Sequence, residues 1–278
     1  MAAGCKNRGD HAGCIGNLSG RNVCRLKDRV QSKFRWQDVI EAHMTDTPIS
    51  SIPEFERRKA KYEPVSQALY AIYGYPHWRQ ALPPLDELID CILSQSTTDL
   101  NRDRAFAALK ARFPDWESAM TAPESEIIDA IRPAGLANQK GPRIQGVLRR
   151  IYQERGELNI DFLADLTVED ARKWLTSFDG VGPKTAAIVL CFALDRAAFP
   201  VDTHVHRLGQ RIGFLPAGIS ADKAHPVMEA IVPPKDYYPF HLNLIWHGRQ
   251  ICHARVPECE RCPLTEYCDY YQNGRAAL

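Results

Sequence analysis

The chain has 278 residues, enough for one substantial hydrophobic core or two small ones, and a net charge of +1. So small a positive balance excludes a uniformly basic coat, and any anion-binding face must be a local asymmetry. No run of about 18 apolar residues is present and the start lacks an apolar signal core, so we expect no membrane span and a reduced, cytoplasmic setting.

Residues 1–43 hold Cys5, Cys14 and Cys24 among glycines and basic residues with little periodicity. They read as a disordered basic arm, and their spacing does not support a small metal knot. Helical patterning follows. Leu85, Leu88, Ile89, Ile92 and Leu93 form one apolar stripe; Ala105, Phe106, Leu109 and Phe113 form a second; Ile127, Ile128 and Ile131 form a third. Ile144, Val147, Leu148, Ile151 and Tyr152 fall at i, i+3, i+4, i+7 and i+8. Lys140, Arg143, Arg149 and Arg150 make a basic run without an acidic neighbour, which reads as a solvated helix face or as a phosphate-binding strip. No alternating strand pattern stands out, and the fold class is all-α. Cys91 and Cys191 lie within apolar helices and read as core residues, and Trp174 and Trp246 as packing residues.

Thr167 and Asp170 resemble a helix-capping pair, and Ala171, Trp174, Leu175 and Phe178 recur at helical spacing. Then comes Phe178-Asp-Gly-Val-Gly-Pro-Lys-Thr-Ala-Ala187. Gly180 and Gly182 around Val181 permit a tight turn whose N–H groups can face one anion. Pro183 suits the first position of a helix, and the apolar stretch Thr185 to Leu194 suits a buried one. The unit is helix, hairpin, helix; taken alone it is equally an ordinary glycine-jointed turn.

Lys184 sits at the positive end of the second helix, which disfavours its charged form, and partial burial would add to this. A neutral amine is a nucleophile; an isolated surface lysine would more simply contact phosphate. Asp202, opening Val201-Asp-Thr-His204, reads as a helix N-cap. Geometry joins the two. A helix over 183–194 is roughly 18 Å long at about 1.5 Å per residue, and an extended connector over 195–201 spans roughly 23 Å. The next helix can therefore start level with Lys184. Such a lysine and aspartate beside a phosphate-binding turn point to attack on the sugar of a nucleic acid.

Cys252, Cys259, Cys262 and Cys268 are spaced C-x6-C-x2-C-x5-C. Four thiolates in so short a span can hold one metal centre, and the spacing alone leaves zinc and a [4Fe–4S] cluster open. Arg249, Arg255 and Arg261 surround them as plausible phosphate contacts. His204, His206, His241, His247 and His253 are not read as metal ligands.

Leu175 to Ala186, Val201 to Arg207, His247-Gly-Arg-Gln-Ile-Cys252 and the remaining three cysteines resemble the endonuclease III family of helix-hairpin-helix DNA glycosylases, over roughly residues 54 to 270. The resemblance implies that Lys184 attacks C1′ of a damaged nucleotide and forms a Schiff base, followed by β-elimination, with Asp202 assisting. It implies that the four cysteines hold [4Fe–4S], and that Gly180, Val181, Gly182, Thr185 and His204 contact double-stranded DNA carrying damaged bases or abasic sites. Family members fill the gap left by the flipped base with a Gln and a Leu. Here the first motif reads Ser94-Gln-Ser-Thr-Thr-Asp99, with Gln95 one place early and Ser96 in its position; the second supplies Leu136.

The family layout implies two helical lobes with the active site in the cleft between them. A six-helix lobe would span 84–199 and carry the hairpin. An iron–sulfur lobe would join 53–83, including a helix over about Pro53 to Tyr73, to 200–278, leaving 1–52 as an extension. The sequence turns family-like soon after Met44, where we expect the natural start. We expect a nucleoid-associated monomer that removes oxidised pyrimidines. The alternatives are a monofunctional mismatch or alkylated-base glycosylase, against which Lys184 argues, and an inactive iron–sulfur DNA-binding paralogue.

Overall fold

The computed structural model describes residues 52–274. The expected basic arm and the start at Met44 lie outside the described residues. Helices account for the architecture, and no strand occurs among the described residues. In chain order they are α1 Phe55–Ala60, α2 Tyr62–Tyr73, α3 Pro84–Ser94, α4 Asp99–Arg112, α5 Trp116–Thr121, α6 Glu124–Ala130 and α7 Ala137–Arg155. These are followed by α8 Val168–Thr176, α9 Pro183–Ile188, α10 Thr203–Ile212, α11 Ala221–Ile231, α12 Tyr237–Gln250 and α13 Asp269–Gln272.

Two hydrophobic clusters divide these helices. The first gathers α3 to α9: Leu88, Ile89, Ile92, Leu93, Ala105, Leu109, Ile127, Ile144, Leu148 and Ile151 are fully buried, as their helical spacing required. Tyr152 does not join its stripe; it is 45% exposed, because the i+8 position has rotated to the rim of α7. Gly141 lets α6 and α7 approach closely, since a Cβ there would meet Ile128 Cγ1 at 2.8 Å. The second cluster joins Val65 and Leu69 of α2 to Val205, Leu208, Val227, Met228, Phe240 and Leu244 of α10 to α12.

The start and end of the described chain are tied together. Arg58 donates to the Gly213 and Leu215 carbonyls, and Lys61 donates to the Ile212 and Tyr267 carbonyls and pairs with Asp269 at 2.7 Å. Lys61 separates α1 from α2, so the single expected helix is two. Between the clusters, Arg172 of α8 pairs with Glu229 of α11 at 2.6 Å. The helix expected over 183–194 is α-helical only to Ile188 and continues as a π turn over Val189–Ala193. The widened turn leaves carbonyls to outside donors: Trp78 Nε1 reaches Cys191 O at 2.8 Å and Gln80 Nε2 reaches Ala193 O at 3.1 Å.

Candidate active site

Thr167 caps α8 as its spacing required, its Oγ1 accepting from Asp170 N at 3.1 Å and donating to Asp170 Oδ2 at 2.6 Å. The chain then reverses through Phe178 to Gly182, where Val181 N donates to Phe178 O at 3.1 Å. Gly180 takes φ +74°, a region open to glycine, and Gly182 caps α9 with Pro183 in its first turn. The N–H groups of the first α9 residues have no partner within the helix. Val181 and Thr185 are buried, so any contact they make with an outside group is through backbone.

The basic run of α7 divides: Arg143 and Arg150 face the hairpin, Lys140 is buried beneath α3, and Arg149 stays exposed on a solvated face. Lys140 is 1% exposed and donates to Leu93 O at 2.7 Å and Ala134 O at 2.9 Å. Arg149 donates to Gln145 Oε1. Arg150 donates to Ser177 O at 2.7 Å and lies 4.4 Å over the Phe178 ring. Arg143 donates to Gln95 Oε1 at 3.0 Å, while Gln95 Nε2 donates to Gly180 O at 2.9 Å. Arg150 and, through Gln95, Arg143 brace the hairpin, whereas Lys140 ties α7 to the end of α3 and to the turn before α7. A Cβ on Gly180 would fall 2.1 Å from Arg143 Nε. Gly180→Ala is therefore expected to cost roughly 1–3 kcal/mol and to displace Arg143 from Gln95. An unchanged denaturant midpoint would show that the hairpin relaxes freely.

Lys184, in the first turn of α9, is exposed rather than partly buried. Asp202 caps α10, its Oδ1 accepting from Val205 N at 2.7 Å. The connector that delivers it is pinned along its length. Arg196 donates to Ala164 O and Leu166 O, Phe199 N donates to Glu229 Oε1 at 3.0 Å, and Val201 N donates to His225 Nε2 at 3.2 Å. His241 Nδ1 lies 2.9 Å from Pro200 O, so that nitrogen carries the proton. Lys184 and Asp202 both act on this buried ring. Burial holds His241 below the ordinary histidine range; the Asp202 charge opposes that and the Lys184 charge adds to it. His241 was not distinguishable in sequence from any other core histidine of an apolar helix.

His225 is the clearest pH-sensitive support. Burial pushes it down to about 4 from 6.5, with Arg172 adding. Its Nε2 must stay unprotonated to accept from Val201 N. The unfolded chain takes up this proton near 6.5 and the folded chain only near about 4. Stability is therefore complete above 6.5 and is lost as pH falls toward about 4, by roughly 3 kcal/mol at 1.36 kcal/mol per pH unit. The share due to His225 is the difference in pH slope between wild type and His225→Gln across that window, because burial also pushes His247 down to about 4, which adds to the slope, and pushes Glu87 up to about 7 and Asp90 up to about 6, which oppose it.

The two wedge candidates differ. Leu136 is 50% exposed and is no core residue; it takes φ +50° before α7. Ser96 is exposed at φ +53°, whereas the Gln95 side chain is engaged with Gly180 and Arg143. Left-handed backbone at two non-glycine residues is strain of the kind that gathers at functional sites. Ser96, Thr98, Asn101 and Gly135 line one open groove between the two strained positions. Arg249 of α12 pairs with Asp99 of α4 at 2.8 Å across the two clusters. His204 lies against Gly248, with Arg207 Nη2 3.1 Å from its Nδ1, and burial holds it below the usual histidine range.

Cys252, Cys259, Cys262 and Cys268 are all free and line a single cavity. Helix α10 holds their loop: Arg207 donates to Cys252 O and Gly248 O, and Arg211 to His253 O and Ala254 O. Arg211 O accepts from Cys268 Sγ at 3.2 Å. Burial pushes the Cys262 thiol up to about 11 and raises Cys268, and the neighbouring cysteines add to both. The site therefore needs a cationic centre before the sulfurs can all be thiolates. Among the described residues no three His, Cys, Asp or Glu side chains converge as they would on a single ion. Of the three arginines nearby, Arg249 serves Asp99 and Arg261 serves Gln250 O and Glu258, while Arg255 is exposed.

A profile of the HhH-GPD superfamily, base excision DNA repair proteins, matches residues 89–234. A putative DNA glycosylase of Arabidopsis thaliana is 37% identical over 195 residues, which cover 66% of this chain and just 66% of that protein. Endonuclease III of Sulfolobus acidocaldarius is 33% identical over 186 residues, covering 66% of this chain and 81% of that one. A solved non-covalent complex of endonuclease III with DNA is 25% identical, with a TM-score of 0.68, and the match covers 78% of this chain and 97% of that one. The chain belongs to the HhH-GPD superfamily of base excision DNA repair proteins, and within it to the endonuclease III family of DNA glycosylases. None of its described helices is long and apolar enough to cross a membrane.

Proposed function

We propose that the protein is a DNA glycosylase with abasic-site lyase activity, acting as a monomer on oxidised pyrimidines in double-stranded DNA of the nucleoid. What supports this reading is Lys184 exposed in the first turn of α9 directly after the glycine hairpin, with Asp202 held at the head of α10 by its bond from Val205 N. The hairpin N–H groups take a backbone phosphate without reading sequence. Leu136 enters the base stack, with Ser96 on the other side of the groove, and the damaged nucleotide leaves the duplex.

The Lys184 Nζ lone pair then bonds to C1′ as the glycosidic bond breaks, and the base departs with that electron pair and takes up a proton. Asp202 stabilises positive charge developing at the sugar. Opening of the sugar ring protonates O4′ and leaves an iminium between Nζ and C1′. Loss of a proton from C2′ expels the 3′ phosphate, and water then releases the lysine. The four cysteines would hold [4Fe–4S], which fixes the loop carried by α10. The four thiols lining one cavity supply the ligand number a [4Fe–4S] cluster takes, and the similarity to endonuclease III favours that cluster over a four-cysteine zinc. The test is incubation of the protein with an abasic-site duplex and borohydride. A covalent adduct on a denaturing gel is expected, and no adduct with DNA binding intact would overturn the lyase assignment.

A further inference from the structure

Two of the four cysteine sulfurs each have a nitrogen donor against them. His247 Nε2 lies 3.4 Å from Cys262 Sγ, and Arg211 Nη1 lies 3.3 Å from Cys252 Sγ. Both donors are held from behind. The His247 ring is 1% exposed, Tyr73 OH lies 3.2 Å from its Nδ1, and the tyrosine ring meets the imidazole edge-on at 6.1 Å. Arg211 donates at 2.7 Å to both His253 O and Ala254 O, and its guanidinium lies 5.0 Å over the Tyr270 ring.

The sulfur decides the histidine tautomer. A metal-bound thiolate has no proton to give, so Nε2 must carry the hydrogen and donate, and Nδ1 is left to accept from Tyr73 OH. Each such donation withdraws electron density from a ligand sulfur. It stabilises the more reduced of two cluster states, since hydrogen bonds to sulfur are among the determinants of cluster potential. The Arg211 donor also brings a full positive charge to the first cysteine.

We infer that His247, oriented by Tyr73, and Arg211 are positioning residues that raise the reduction potential of the centre held by Cys252, Cys259, Cys262 and Cys268, protecting its resting state against one-electron oxidation. This rests on the iron–sulfur assignment. The step concerned is transfer of one electron from the cluster to an external one-electron oxidant, and no covalent bond forms or breaks.

The test uses the full chain purified without oxygen. Iron, sulfide and zinc contents are measured first, then protein-film voltammetry compares wild type with Tyr73→Phe, His247→Leu, His247→Gln and Arg211→Leu. Iron with matching sulfide is expected. Tyr73→Phe, His247→Leu and Arg211→Leu should each favour the oxidised cluster, the largest by about tenfold, or 59 mV for one electron. His247→Gln, which keeps an N–H donor, should recover part of the His247→Leu shift. Zinc without iron in the wild type would overturn the cluster assignment and the inference with it. Iron and sulfide present, with potentials unchanged in the variants, would overturn the inference alone. Should His247→Leu or Arg211→Leu fail to assemble the centre, Tyr73→Phe decides, because it removes only the hydroxyl behind His247 and leaves every donor to sulfur in place.

Discussion

Lys184→Gln is expected to bind damaged duplex about as well as the wild type while forming no borohydride-trapped adduct, with strand nicking reduced at least about a thousandfold. Glutamine is close to lysine in length, but its amide nitrogen has no lone pair free to bond to C1′. The fold should tolerate the change. Lys184 is exposed in the first turn of α9, and the hairpin ahead of it is held by Arg150 at Ser177 O and by Gln95 at Gly180 O, not by the lysine. Trapping and nicking assays on the same preparation, with duplex affinity measured alongside, check this. An adduct that persists in the variant would move the nucleophile to another amine.

Asp202→Asn should slow base release by roughly 10²–10³-fold while leaving thermal stability almost unchanged. The residue has two roles that this substitution separates. As the N-cap of α10 it accepts from Val205 N at 2.7 Å, and asparagine caps about as well as aspartate. As a charge beside the sugar it cannot be replaced by a neutral amide. Asp202→Ala, which loses both roles, should in addition lose about 1 kcal/mol of stability. Single-turnover kinetics and thermal unfolding of both variants make the distinction. A near-wild-type rate for Asp202→Asn would reduce the aspartate to a cap.

Much of this was legible in the sequence because it depended on local rules. The stripes of α3, α4 and α7 follow helical period, the Thr167 cap and the Gly180 turn follow from residue type, and Asp202 caps the helix its position announced. What could not be read were partners distant in the chain. The α7 run Lys140 to Arg150 has the composition of a solvated face, yet of its four cations only Arg149 is exposed, while Lys140, Arg143 and Arg150 are taken by carbonyls at Leu93, Ala134 and Ser177 and by the Gln95 amide. Sequence spacing carries no information about those acceptors. The π turn after Ile188 was invisible for the same reason, since the Trp78 and Gln80 donors that take its carbonyls lie about a hundred residues earlier. His241 is set apart from the other histidines by its bond to Pro200 O, two residues before Asp202, a partner 41 positions away in the chain.

Helix α10 has ten residues, with Asp202 at its head and Arg207 and Arg211 gripping the cysteine loop from its side. A rod of that length, about 15 Å, is too short and too well packed to bend between its two attachments. The Asp202 end is anchored separately, through Val201 N on His225 and Pro200 O on His241, so one short rod carries the carboxylate and the grip on the cysteine loop as a single rigid piece. Under the proposed cluster assignment, the group that holds the cysteine loop and the residue that faces the sugar therefore share one helix.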